Sequence, residues 1–256
     1  VLLALKLILV PGLVAAVTLG ARRWGPRVGG WLTSLPLVAG PGLYFLAVEQ
    51  GDPFAAEASR ATLVGLIAVA AFAVAYAWTA LRRPWPAGLL AGWAAFAAAT
   101  VVLQAVRWPP LVALPVVLAS FVVARRLLPP ERGALLRTST PAWDLPLRMA
   151  GALALVLTVT HLADRLGPRL SGALTPFPVA LAILLAFVHA QQGSAVTIRF
   201  LYAFLPAMGS FAVFTFVLTL AMVPLGRDAA FALAVAAQLA GQGLTLWRLR
   251  RGDGRA

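Results

Sequence analysis

Few side chains in this sequence are equipped for chemistry, and they stand at the edges of apolar runs. His161 and Asp164 form an H-x-x-D spacing that places both on one helical face, where they could act as an acid–base pair. Glu49 and Gln50 close one apolar run, and His189, Gln191 and Gln192 close another. Arg60 and Arg199 open the runs that follow and could pair with them across each loop. A carboxylate beside a guanidinium, such as Glu49 with Arg60, can gate a proton or a charged solute. The plainer reading of these residues is interfacial anchoring and helix capping. GxSxG, HExxH and Walker A patterns are absent from the sequence. The chain has no cysteine, which excludes disulfides, iron–sulfur clusters and thiolate chemistry. No Asp or Glu falls deep in any apolar run, so strong proton or sodium coupling has no visible carrier. The sequence therefore assigns no catalytic residue, metal site or cofactor, and enzymatic activity is not the favoured reading.

The elements that must position these groups are membrane spans. The chain is 256 residues long, 61% hydrophobic and 11% charged, with a mean hydropathy of +0.90. A soluble domain carries roughly 25% charged residues. A span needs ~20 apolar residues, so nine spans consume most of the chain and leave short loops. The expected fold is all-α: a polytopic transmembrane helical bundle. The runs fall at 2–20, 29–48, 61–81, 86–106, 109–125, 147–162, 171–190, 199–223 and 228–247. The first run does not read as a signal peptide: its early charge is Lys6 alone and its apolar stretch is long. The net charge of +13 is what basic membrane loops produce, so no nucleic acid is implied. Its partners are the lipid bilayer and an unspecified small solute.

Basic residues orient the spans. Arg22, Arg23, Arg27, Arg82, Arg83, Arg125, Arg126, Arg132, Arg137, Arg148, Arg199, Arg248, Arg250, Arg251 and Arg255 fall on one side. Lys6, Arg60, Arg107, Arg165, Arg169 and Arg227 fall on the other, with the acidic residues Glu49, Asp52 and Glu57. This asymmetry predicts an outside N-terminus and a cytoplasmic C-terminus. Abundant Ala, with one Lys against 20 Arg, suggests a GC-rich bacterial genome and hence the bacterial inner membrane. Trp24, Trp85, Trp108, Trp143 and Trp247 lie at inferred interfaces and read as belt anchors.

The sequence also repeats itself. Residues 21–51 and 163–193 align without a gap at an offset of 142, with 13 of 31 positions identical. Gly25-Pro26-Arg27 matches Gly167-Pro168-Arg169. Gly30, Leu32, Thr33 and Pro36 match Gly172, Leu174, Thr175 and Pro178, and Gln50-Gly51 matches Gln192-Gly193. The copies begin five spans apart, an odd number, so they cross the membrane in opposite directions. Residues 1–106 form the first repeat, 107–146 a connecting helix and cytoplasmic loop, and 147–256 the second repeat with a basic tail. Inverted repeats of this kind build many secondary transporters; duplication for stability alone is the competing explanation.

In that arrangement the central helices are 29–48 and 171–190. Pro36 interrupts the first, and Pro176 and Pro178 the second; each proline frees a backbone carbonyl. Thr33, Ser34 and Thr175 lie within a turn, where their hydroxyls can cover the break. Gly40-Pro41-Gly42 falls near the bilayer centre and is expected to unwind the first of these helices. Thr33, Ser34, Pro36, Gly40, Pro41, Gly42, Thr175 and Pro178 are thus the candidate solute site, and a ligand-free packing kink is the alternative.

Leu35-Pro36 with Glu49-Gln50-Gly51 and Arg60, and Phe177-Pro178 with His189, Gln192-Gly193 and Arg199, share one pattern. A Leu/Phe-Pro step in an apolar helix leads to a polar end closing on Gly, then to an Arg in the next helix. That pattern resembles GlpM, a family of small bacterial inner-membrane proteins about half this length. Each match covers about 45 residues. The resemblance implies two such units joined by a connecting helix, and an inner-membrane location, but no substrate. Gly40-Pro41-Gly42 departs from the pattern.

Overall fold

The structure, a computed structural model, describes residues 2–36, 39–106, 108–131, 143–166 and 178–253. Among them all regular structure is helical. The helices are α1 (Leu2–Trp24), α2 (Pro26–Thr33), α3 (Ala39–Gln50), α4 (Asp52–Ala80), α5 (Trp85–Gln104) and α6 (Pro110–Leu127). They continue with α7 (Asp144–Leu166), α8 (Val179–Leu225) and α9 (Arg227–Asp253). Proline stands in the first turn of α2, α4, α5 and α6, where its missing N–H costs no helical bond.

Six described helices are long and apolar enough to cross a membrane: α1, α4, α5, α6, α8 and α9. The chain is thus an integral membrane protein. Leu90, Val101, Val102 and Leu111, each about two-thirds or more exposed, face outward on α5 and α6, where they contact lipid. Five of the apolar runs, 2–20, 61–81, 86–106, 109–125 and 228–247, fall on α1, α4, α5, α6 and α9, and 147–162 falls on α7, which is not among the six. The 29–48 run is divided into α2 and α3, each too short to span alone. The described part of the 171–190 run and the 199–223 run are the two arms of α8, which bends at Gly193 (φ 80°, ψ 178°), a conformation that favours glycine.

The bend recurs at the 142-residue offset. Gly51, between α3 and α4, has φ 90° and ψ 159°, close to the values at Gly193. Helix α5 begins at 85 and α9 at 227, again 142 apart. The packing follows the same correspondence: α5 lies on α4, and α9 lies on the second arm of α8.

The core lies where α4 meets α8. Phe72 and Tyr76 of α4 and Phe200 and Phe214 of α8 are fully buried there. Small residues admit the neighbouring helices. Gly92 of α5 sits on the Phe72 ring, and Gly88 sits on the Tyr76 ring. Gly30 of α2 rests directly on the backbone of α8; a methyl added there would stand 2.2 Å from the Phe200 carbonyl oxygen. Gly42 of α3, by contrast, has no atom within 4 Å of such a methyl. Gly30→Ala is therefore expected to destabilise the protein by about 1–3 kcal/mol. Gly42→Ala should be neutral or stabilising by up to about 1 kcal/mol. Thermal unfolding in detergent measures both.

Candidate functional site

The interruption between α2 and α3 falls at Ser34–Pro36, not at Gly40-Pro41-Gly42. That triplet is helical, so the expected unwinding there does not occur. Pro36 instead ends the α2 path, and its carbonyl starts the next one by accepting the Gly40 N–H at 2.8 Å. The second repeat makes the same bond at the same offset: the Pro178 carbonyl accepts the Ala182 N–H at 2.8 Å. Pro178 precedes α8 and is buried. Thr175 and Pro176 lie outside the described residues.

Hydroxyl groups cover the break. The Thr33 hydroxyl donates to the Gly29 carbonyl at 2.8 Å, and the Ser34 hydroxyl donates to the Trp31 carbonyl at 2.7 Å. The Ser34 oxygen also accepts from Gln242 of α9 at 2.6 Å. One turn along α9, Gln238 donates to the Ser210 hydroxyl at 3.3 Å, and its own side-chain oxygen is buried without a partner. The Trp31 indole donates to Thr245 at 3.1 Å. Gln238, Gln242 and Thr245 thus make a polar seam along the inner face of α9, and it reaches the interruption. Sequence reasoning missed this seam. Its signal was the i, i+4 spacing of two glutamines in an otherwise apolar helix. Gly40 is buried, and a methyl there would lie 3.5 Å from the Phe214 ring, so the interruption is walled by the α8 core.

The polar helix ends pair differently from expectation. Arg60 does not meet Glu49. Its Nε donates to Glu57 at 2.8 Å, and its Nη1 donates to the Trp108 carbonyl at 3.2 Å. Helix α4 already starts at Asp52, so Arg60 stands on its third turn, where Glu57 is the neighbour at i−3. Glu49 and Gln50 are exposed in the last turn of α3. Glu57, Arg60, Trp108 and Pro109 line an open surface depression at this end. Nearby, Tyr44 donates to Asp228 at 2.8 Å, and Arg227 donates to the Ala47 carbonyl at 3.3 Å.

At the other end of α4 the arrangement is denser. His189 stands edge-on to Tyr76, with Nδ1 3.4 Å from the phenol oxygen. Asp144 is fully buried and takes charge-assisted hydrogen bonds from Arg22 at 2.5 Å and from the Arg148 Nε at 2.9 Å, and a further bond from Gln191. Arg148 also donates to Gln191 at 3.2 Å. Arg199 does not meet His189, Gln191 or Gln192; its Nε lies 3.2 Å from Glu131, which also takes Arg27 at 3.2 Å. Gln192 is half-buried beside the Gly193 bend. His161 and Asp164 fall in the last turns of α7, and their side chains lie outside the described set.

Among the described residues no group of three or more His, Cys, Asp or Glu side chains gathers as a metal site. Compared with protein-family models, curated proteins and solved structures, the chain matches none.

Burial pushes the Asp144 carboxyl up, but the hydrogen bonds from Gln191, Arg148 and Arg22 outweigh it and hold the group below its ordinary value of 3.8. A depressed native value means that the contribution is present above 3.8 and is lost as pH falls through the lower native value. Stability should therefore show no loss from this group between pH 7 and pH 5, and a loss only under strong acid. Asp144→Ala strands the buried Arg148 charge and should cost about 3–5 kcal/mol. Asp144→Leu combined with Arg148→Met should cost clearly less than that single change. Unfolding of the three variants in detergent checks the order.

Proposed function

We propose that the chain is a secondary carrier for a small solute, built from two inverted repeats and crossing the membrane nine times. The observation that carries this reading is a pair of matching helix starts. Pro36 and Pro178, 142 residues apart, each begin a helix by accepting the N–H four residues on, at the same 2.8 Å. Helix α2 is 8 residues long and α3 is 12. At 1.5 Å per residue the first restart lies roughly 12–15 Å below the surface, near the bilayer centre. Broken helices at that depth, in equivalent positions of two inverted halves, are how many carriers build a solute site. The site proposed is the Ser34–Pro36 interruption facing Gln238 and Gln242, with Pro178 opposite.

Nine crossings also account for the polar contacts. A nine-span path puts the ends of α1 and α6 and the starts of α2 and α7 on one side, with the Gly193 bend. The pairs Arg22–Asp144, Arg27–Glu131, Arg199–Glu131 and Arg148–Gln191 all join that side. The same path puts the Gly51 corner, the α5–α6 loop and the α8–α9 corner on the other, where Arg60–Trp108, Tyr44–Asp228 and Arg227–Ala47 meet. The first side is the basic one and, by the positive-inside rule, cytoplasmic. A bacterial inner-membrane location, and a GlpM-like character for each half, complete the proposal.

A second reading, a non-transporting assembly or envelope-maintenance factor, is favoured by the close contact of Gly30 and Gly40 with Phe200 and Phe214. A solute-independent experiment separates the two. The chain has no cysteine, so Gly40→Cys is a unique thiol. In oriented vesicles a carrier exposes it by turns to a membrane-impermeant maleimide from each side. Pro36→Ala with Pro178→Ala should slow that labelling at least tenfold while leaving the protein folded. No labelling from either side would establish the second reading. A reporter fused after residue 256 should be active only in the cytoplasm.

A further inference from the structure

Helix α6 has one buried face and one that lipid must cover. Val117, Phe121 and Ala124 are buried in the core. Pro115, Ala119, Val122 and Val123 are exposed at helical spacing on the other face, and that stripe ends in Arg126, with Arg125 beside it, both exposed. Val122 and Val123 are each 54% exposed and stand about one turn, ~5 Å, below the two arginines. Acyl chains lying on the stripe therefore bring a headgroup to the level of Arg125 and Arg126. Trp78 and Tyr202, residue types that favour that level, stand at the same end of α6.

The second arm of α8 adds to the charge. The Arg125 guanidinium lies 5.7 Å over the Tyr202 ring, and Arg199 stands three residues before Tyr202 on the same helix. The Arg199 Nε is 3.2 Å from a Glu131 oxygen, yet it is buried without a hydrogen bond among the described residues. The same Glu131 oxygen takes Arg27 of α2 at 3.2 Å. One carboxylate thus stands between two arginines, with Arg125 and Arg126 close by in the chain. Residues 132–143, which follow, hold Arg132 and Arg137 and no Asp or Glu. The next carboxylate, Asp144, is taken by Arg22 and Arg148. The last carbonyls of α6 are served by other donors: the Trp78 indole reaches Leu127 at 2.7 Å, and the Tyr202 hydroxyl reaches Leu128 at 3.4 Å.

We propose that Arg125, Arg126 and Arg199, beside Tyr202, form a binding site for the headgroup of an anionic phospholipid whose acyl chains lie on the exposed face of α6. Guanidinium groups give phosphate oxygens charge-assisted, forked hydrogen bonds. Basic clusters between membrane helices at the headgroup level are where such lipids are held. A net negative headgroup offsets the positive charge that Glu131 alone leaves. A zwitterionic headgroup brings its own cation into the same cluster and gains less. The site needs only a chain embedded in lipid, so it stands apart from the carrier reading above.

The test uses the cysteine-free full chain in phosphatidylcholine vesicles, with a fluorescent label on Val123→Cys. Brominated phosphatidylglycerol and brominated phosphatidylcholine, at equal mole fractions, compete to quench it. Phosphatidylglycerol should be preferred by about threefold or more. The same label on Leu239→Cys, an exposed residue of α9, should show little preference. Arg125→Gln with Arg199→Gln should remove the preference at Val123→Cys. If that double variant does not fold, Arg125→Gln alone, at an exposed position, carries the test. Glu131→Gln should raise the preference, because it removes the competing anion. No preference in the otherwise native chain overturns the site. An equal loss from Arg23→Gln with Arg251→Gln also overturns it, since a diffuse basic surface then explains the result. If inorganic phosphate abolishes the preference where chloride at the same ionic strength does not, the cluster takes a free anion and the lipid assignment falls.

Discussion

The structure depends on a broken helix in a place that cannot tolerate one unaided. Hydrocarbon offers no hydrogen bonds, so each backbone group freed at Ser34–Pro36 must find a partner within the protein. The surroundings answer that need in order. Thr33 and Ser34 turn their hydroxyls back onto α2 carbonyls, Pro36 hands its carbonyl to the start of α3, and Gln242 of α9 caps the Ser34 oxygen. Glycines at 29 and 30 then let α2 lie against α8 closely enough to exclude lipid. The polar seam on α9 serves the break: Gln242 meets Ser34, and Gln238 carries the seam on to Ser210.

The same economy shapes the two faces. A membrane protein concentrates its charges at the headgroup level, where they cost little, and leaves its interior to packing. Here the two ends of α4 differ sharply. One holds the surface Arg60–Glu57 pair, and the other holds a fully buried Asp144 and a partly exposed Glu131, each between two arginines. Glu131 follows α6, and Asp144 opens α7 at the position that Leu2 holds at the 142-residue offset.

Much of this was legible in the residues. Apolar run lengths pointed to membrane-crossing helices, and six described helices are long and apolar enough to cross. The 142-residue offset was visible as shared Gly-Pro-Arg and Gln-Gly steps, and helix ends fall on it because glycine and proline fix the local backbone whatever surrounds them. Gly51 and Gly193 show this most plainly, with nearly the same φ and ψ. The candidate site was less legible. Gly40-Pro41-Gly42 reads as a break by composition, yet the triplet is helical and the interruption falls at Ser34–Pro36.

The sequence by itself determined the membrane-helical class, the 142-residue internal similarity and the proline steps, since each follows from local chemistry or from length. The partners were decided by the tertiary structure alone. Arg60 meets Glu57 rather than Glu49, Arg199 meets Glu131, and Ser34 meets Gln242 across 208 residues. An ion pair or a carboxamide bond depends on which helix faces which. That depends on how the described helices, of similar apolar character, pack together, a long-range property that no window of the sequence contains.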